Sequence, residues 1–161
     1  MTYSMLASVA KYPYASLVGD GKGKFGFFQS EEEDFKKIAE DLGMIRIADS
    51  PLHYKRYPLV YLVEAADDIC YKIMDIEDAH KLGILTTERT KELFLNFFPD
   101  ERKEKMQRVM EVVTDVNEQI AYLRSSVIGL LVDECTQVFL DNEKKILNGE
   151  YEGSLVKHIT A

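Results

Sequence analysis

Residues 64–79 constrain this chain more than any other run, because a turn of about 100° per residue sorts their side chains, with those just upstream, into two sets of opposite character. Leu59, Leu62, Val63, Ala66, Ile69, Cys70, Ile73 and Ile76 gather on one side as a core-facing stripe. Glu64, Asp67, Tyr71, Asp75 and Asp78 fall on the other, with Asp67, Tyr71 and Asp75 one turn apart in a row. Pro58 suits the first turn of such a helix, where its missing N–H costs nothing. An acidic strip repels itself by roughly 0.2–0.5 kcal/mol per one-turn pair on an exposed helix, and by more in a cleft where water screens poorly. Two arrangements offset this: a solvated face relieved by Lys or Arg from elsewhere, or a metal or phosphate site.

Most of the remaining chain keeps the helical period. Residues 3–11 have helical character that must stop near Tyr12, because Pro13 disfavours helix in the residue before it. Ser30 and Glu33 form a capping box ahead of Phe35, Ile38, Ala39 and Leu42, and Gly43 is placed as the C-cap. The acidic first turn, Glu31-Glu32-Glu33, complements the helix dipole. A short extended segment over residues 44–48 follows, before Asp49-Ser50-Pro51 breaks the chain. Gly83 marks a turn, Thr86-Thr87-Glu88 starts another helix to about Phe97, and Pro99 closes it. Residues 101–147 read as nearly continuous helix interrupted near 115–120, with Leu123, Val127, Leu130, Leu131, Val138 and Phe139 at helical spacing. The expectation is an all-α fold, a single helical domain over residues 1–161 with room for one short extended segment.

Charge limits the partners. The net charge of −8 resides wholly in the second part: residues 1–63 carry 8 basic and 8 acidic side chains, and residues 64–161 carry 12 and 20. Generic nucleic-acid binding rests on neutralising phosphates with Lys and Arg, so it is not expected of this chain. A polyphosphate would need local cations, which the first part supplies as Lys11, Lys22, Lys24, Lys55 and Arg56. The content of 46% hydrophobic and 30% charged residues is that of an ordinary soluble globule. No run approaches the ~18 apolar residues of a membrane span, and no basic-then-apolar signal pattern opens the chain, so the default expectation is cytoplasmic.

Several motifs invite chemistry and resist it. Gly19-Asp20-Gly21-Lys22-Gly23-Lys24-Phe25-Gly26 is rich in glycine, yet neither Gly-Lys pair is followed by the Ser or Thr that a phosphate-cradling loop requires; a flexible surface loop is expected. Cys70 and Cys135 lack metal-ligand spacing and read as small buried apolar residues. His53 and His80 read as surface or locally bonded groups. Arg124, on the flank of its helix's apolar stripe, either covers apolar surface and pairs with a carboxylate or turns its guanidinium fork to phosphates.

Beyond these local readings, Arg56-Tyr57-Pro58-Leu59-Val60-Tyr61-Leu62-Val63-Glu64-Ala65-Ala66-Asp67-Asp68-Ile69-Cys70-Tyr71 closely resembles the bacterial deoxyguanosinetriphosphate triphosphohydrolase family, within the HD-domain phosphohydrolases. Lys11-Tyr12-Pro13, Lys24-Phe25-Gly26-Phe27-Phe28-Gln29-Ser30-Glu31, Arg124-Ser125-Ser126-Val127-Ile128 and Ile146-Leu147-Asn148-Gly149 extend the resemblance over nearly the whole chain. It implies a helical enzyme that splits a deoxynucleoside triphosphate into deoxynucleoside and triphosphate. The divalent metal, Mg²⁺ or Mn²⁺ or another transition metal, is held in the family by a His, a His-Asp pair and a later Asp. Asp67 corresponds to that later Asp. Tyr71 and Asp75 correspond to contacts with the nucleotide's phosphate and sugar, and Lys11, Lys24 and Arg124 are the further candidate substrate contacts.

The sequence departs from the family in one main respect. Its three histidines are His53, His80 and His158, and none precedes an Asp. In the family the other metal ligands lie upstream of the Lys-Tyr-Pro segment, so the chain compares with a C-terminal part lacking them, and catalysis by it alone is not expected. Tyr57 also stands where relatives often carry His. Three readings follow: part of a deoxynucleotide triphosphohydrolase completed by a missing N-terminal part; a non-catalytic nucleotide-binding or regulatory module; or a helical domain for oligomerisation, since the family tends to assemble as homo-oligomers.

Overall fold

A computed structural model describes residues 1–18 and 23–160. The glycine-rich loop expectation falls partly on residues 19–22, which lie outside the described residues. Among the rest are seven α-helices and one two-stranded sheet, so the fold is mostly α. The chain divides into two compact units: residues 1–64 with 139–155, and residues 65–138 with 156–161.

The first unit holds α1 (Tyr3–Val9), α2 (Glu32–Asp41), β1 (Arg46–Asp49) and β2 (Leu52–Tyr54). Thr2 caps α1 by accepting the Met5 N–H. The box expected at Ser30 and Glu33 is shifted. Residues Gln29–Glu31 form a tighter 3-10 turn, the Glu31 carboxylate reaches back to the Phe28 N–H at 2.9 Å, and α2 begins only at Glu32. At its other end Gly43 adopts φ +63° and lets the Met44 N–H return to Ala39 O at 2.8 Å, the closure that a left-handed residue permits. Phe27 stacks on Phe35 with ring centroids 4.3 Å apart, and Ala10, Ala15, Ala39, Leu52 and Tyr54 complete that core.

The extended segment proves to be an antiparallel hairpin, with Ala48 opposite His53, Asp49 opposite Leu52, and an irregularity between Arg46 and Ala48. The second strand escaped the sequence reading because Leu52, His53 and Tyr54 are too few to show a period. The segment after α1 straps onto β2: the Tyr54 N–H donates to Pro13 O at 2.9 Å, and Tyr14 pairs with His53.

The second unit is built from most of α3 (Val60–Lys81), α4 (Thr87–Leu95), α5 (Asp100–Val112) and most of α6 (Val116–Asp141). Ile69 and Ile73 of α3, Phe94 of α4, Met106 of α5, and Ile120, Leu123, Val127, Leu131 and Cys135 of α6 are buried. Each large apolar side chain among them contributes about 1.5–3 kcal/mol. Thr86 caps α4 by accepting the Arg89 N–H. The break between α5 and α6 lies just before the expected place. Gln119 Nε2 donates to the carbonyls of Met110 and Val113, and Asp115 accepts the Glu118 N–H, so both helix ends are satisfied there. The helix α7 (Glu143–Leu147) belongs to the first unit.

The phase of α3 departs from the stripe read in the sequence. Val60, Tyr61, Ala65, Ile69, Ile73 and Glu77 are buried, whereas Leu59, Leu62, Val63, Ala66 and Cys70 are exposed. Residues 59–63 are apolar all round, so periodicity could not say which of them faces a core. Of the two cysteines expected to be buried, only Cys135 is.

Candidate functional site

In the first unit, three cations gather around one ring. The Lys11 ammonium lies 5.9 Å, the Lys24 ammonium 5.6 Å and the Arg56 guanidinium 6.0 Å from the Tyr12 ring centroid. Each such contact is worth about 0.5–1 kcal/mol at an exposed site. They meet because two backbone segments nearly touch. Gly26 donates to Tyr14 O at 3.1 Å, and a Cβ on Gly26 would overlap the Tyr12 carbonyl oxygen. Only glycine lets the chain carrying Lys24 come so close to the strap carrying Lys11.

A single carboxylate holds two of these cations. Glu64 Oε1 lies 2.7 Å from the Lys11 Nζ and Oε2 accepts Arg56 Nη1 at 3.0 Å, with the Glu64 side chain only 9% exposed. Glu64, read from the sequence as a member of the acidic strip, thus faces inward instead. Arg56 also lies 5.6 Å from the Tyr61 ring, whose hydroxyl donates to the Tyr151 carbonyl at 2.9 Å. Burial, outweighing the nearby Arg56 charge, pushes the Tyr61 phenol up. A cavity of about 380 Å³ opens here, with Lys11, Tyr12, His53, Lys55, Arg56 and Glu152 in its wall. The arrangement can grip an anion: it is a cluster of cations in a chain of net charge −8.

In the second unit, Asp67, Tyr71 and Asp75 do share one face of α3, and all three are exposed, Tyr71 at 66%. Asp78 is exposed too, 3.8 Å from the Lys81 ammonium. The strip is therefore solvated along Asp67, Tyr71 and Asp75, and relieved by a lysine at Asp78. Met74, Ala66 and Cys70 lie exposed beside it.

Arg124 donates to the carboxylate of Glu77, which is 8% exposed and also lies 3.2 Å from Lys81 Nζ. Burial alone would raise the Glu77 pKa; the hydrogen bonds from Arg124 and Lys81 outweigh it and hold the carboxyl below its ordinary value. Arg124 thus makes the carboxylate pairing that was one of its two sequence readings. His80 is locally bonded, 3.1 Å from the Thr87 hydroxyl. Cys135 is pushed up by burial and then by the charges of Glu134 and Asp68.

Among the described residues no three His, Cys, Asp or Glu side chains gather as a metal site. The described residues of this chain alone therefore do not gather a metal-ligand set around Asp67. No helix among the described residues is long and apolar enough to cross a membrane.

Of the residues singled out in the sequence, the structure brings Lys11 and Lys24 together, and Asp67, Tyr71 and Asp75 onto one face. Sequence reasoning missed the ring at the centre of the cations, Tyr12, and the inward role of Glu64. Gly26 signals that a close backbone approach is possible there, but the sequence does not say that Tyr12 is the residue approached.

No protein-family model matches the chain. It is 35% identical to a deoxyguanosinetriphosphate triphosphohydrolase-like protein of a Synechocystis species over 173 residues, covering 98% of this chain and 36% of the relative. A like-named protein of Pseudomonas aeruginosa is 34% identical over 163 residues, covering 99% of the chain and 36% of that protein. The deoxyguanosinetriphosphate triphosphohydrolase of Yersinia enterocolitica is 27% identical over 83% of the chain and 28% of its own length. The chain spans about a third of the length of these curated relatives. With similarity of this kind along nearly all of its residues, the chain belongs to the deoxyguanosinetriphosphate triphosphohydrolase-like family.

Proposed function

We propose that this chain is the phosphate-gripping part of a deoxynucleoside triphosphate triphosphohydrolase that converts dGTP and water to deoxyguanosine and triphosphate. The observation that carries the reading is the trio Lys11, Lys24 and Arg56 around Tyr12, two of them locked by Glu64. Such fixed cations neutralise a polyphosphate without having to be ordered when it arrives, which is how positioned charge stabilises phosphoryl transfer. Lys11 and Lys24 would hold substrate phosphates, and Tyr71 and Asp75 the phosphate and sugar of the nucleotide. Arg124 is the least supported of the substrate contacts, because Glu77 already occupies its guanidinium.

A divalent metal, Mg²⁺ or Mn²⁺ or another transition metal, belongs to the proposal for the whole protein, with Asp67 as the one ligand drawn from this chain. The other ligands would come from the portion of the relatives that this chain does not span. That portion would also cover the exposed Ala66, Cys70 and Met74 beside the acidic row. The proposed setting is the cytoplasm, and the proposed assembly a homo-oligomer.

Reconstitution tests the reading. The chain is incubated with dGTP and Mg²⁺ or Mn²⁺, with and without a separately made N-terminal part of a relative, and deoxyguanosine and triphosphate are resolved by ion exchange. Products only on mixing would support it. Nucleotide binding without products in either condition would replace it with a non-catalytic binding or regulatory module, and neither binding nor products would leave an oligomerisation role.

A further inference from the structure

The cavity beside Tyr12 holds titratable groups that a grip of Lys11, Lys24 and Arg56 does not require, and His53 is the imidazole among them. His53, on β2, lies in its wall, with its ring edge-on to Tyr14 at 5.1 Å between centroids. Lys55 lines the same cavity, and its stem runs along Gly149, where φ is +67° and a Cβ would come within 2.9 Å of the Lys55 Cγ. The backbone at Gly149 is thus shaped around the path of Lys55. Burial first, and the charge of Lys55 second, push the His53 imidazole below its ordinary 6.5.

The groups around this imidazole come from four stretches of chain. The strap after α1 supplies Lys11, Tyr12 and Tyr14; the residues at and after the end of β2 supply Tyr54, Lys55 and Arg56. Tyr61 comes from α3, and Tyr151 and Glu152 from the segment after α7. Lys11, Lys55 and Arg56 share the wall with Glu152, and Glu64 already holds Lys11 and Arg56, so burial and the charge of Lys55 are what disfavour the protonated imidazole until an anion enters. A phosphate group beside it reverses the balance, since an opposite charge within ~4–6 Å favours the protonated ring.

We infer that His53 is the proton-coupled member of an oxyanion site in this cavity: a phosphate group entering beside Lys55 and Arg56 draws a proton onto His53, so anion affinity strengthens as pH falls through neutrality. The inference rests on the phosphate-grip reading above and extends it to His53 and Lys55, which that reading leaves without a role. By linkage, affinity grows wherever the bound state holds more protons than the free state, by up to about tenfold per pH unit.

The test follows the imidazoles of His53, His80 and His158 by ¹H–¹³C NMR against pH, with His53→Gln to assign the His53 signal. The probes are inorganic triphosphate and sulfate, the latter because its own charge is constant through neutrality. The expected result is that either probe raises the His53 titration and leaves His80 and His158 in place. Sulfate affinity should rise several-fold from about pH 8 to about pH 6 in the unaltered chain and stay flat in His53→Gln, and Lys55→Ala should weaken binding at both. Should the probes bind, and Lys11→Ala abolish that binding, while the His53 titration does not move, this inference is overturned and the phosphate grip stands. Failure of either probe to bind also overturns it, and the proposed hydrolysis is then decided by reconstitution alone. The NMR readout on the unaltered chain serves even if a variant misfolds.

Discussion

Glu64 and Lys11 form an ion pair of 2.7 Å in which the Glu64 side chain is nearly buried and the Lys11 side chain is 40% exposed. One end of the pair is thus fixed by the fold while the other still faces solvent, as a group must if it is to meet a ligand. The second oxygen of Glu64 holds Arg56 in the same way. A helix residue that reads as one more surface acid is in fact the counter-ion that orders two cations under Tyr12.

Removing that counter-ion should cost stability. Glu64→Ala leaves Lys11 and Arg56 without their buried partner, and a loss of about 1–3 kcal/mol is expected. That lies below the ~3–5 kcal/mol for breaking a fully buried pair, because Lys11 can turn to water. Glu64→Gln, which keeps a hydrogen-bond acceptor, should lose less. Urea unfolding of both variants checks the order, and equal losses would mean that the charge, which both variants remove, matters at this site and the shape of the side chain does not.

Gly26 sets the distance between the Lys24 segment and the Lys11 strap. Gly26→Ala would drive a Cβ into the Tyr12 carbonyl, and since backbone cannot swing aside as a side chain does, a loss of about 1–3 kcal/mol is expected. The displacement should also part Lys24 from Tyr12, so binding of inorganic triphosphate, read by calorimetry, should weaken more than in Gly129→Ala, where a Cβ meets nothing and the backbone is helical. Similar binding in both variants would show that the close approach does not serve the cations.

The Glu77–Arg124 pair predicts a pH dependence with a definite sign. The folded-state pKa of Glu77 lies below its ordinary 4.5, so the stability it contributes is complete above that value and is lost as pH falls through the folded-state pKa. Glu77→Gln should therefore be less stable than the unaltered chain at about pH 7, and the gap should narrow toward about pH 3. Thermal unfolding at both values measures it; a gap of constant size would show that the loss comes from packing alone.

How much of this was legible in the sequence varies with the kind of signal. Thr86, Gly43 and Gly83 announced helix ends through local backbone chemistry, and the structure puts ends there. Ile69 and Ile73 were placed correctly on the stripe, but Leu62 and Val63 were not, because the all-apolar stretch 59–63 has no phase to read, and Cys70 lies one position round the helix from the buried Ile69. The row Asp67, Tyr71, Asp75 was legible as a face, since one helix turn is enough to align it. The meeting of Lys11, Lys24 and Arg56 was not, because it depends on a tertiary approach between Gly26 and Tyr12 that no period encodes. His53 has Lys55 two residues on in the sequence, but it shares a cavity wall with Lys11 only when the strap docks on β2.

The exposed acidic row separates function from folding more cleanly than any buried site. Asp67, Tyr71 and Asp75 point to solvent, so Asp67→Asn, Tyr71→Phe and Asp75→Ala should each leave the urea midpoint of this chain within experimental scatter. Relief of like-charge repulsion could even raise it slightly for Asp67→Asn and Asp75→Ala. In the reconstituted enzyme the same variants should part company. Asp67→Asn should abolish product formation and lower metal content, because a neutral amide is a poor replacement for an anionic ligand. Tyr71→Phe and Asp75→Ala should keep the metal and raise KM for dGTP. Equal metal loss in all three would collapse the row into a single metal-supporting patch, and full activity in all three would remove this face from the reaction altogether.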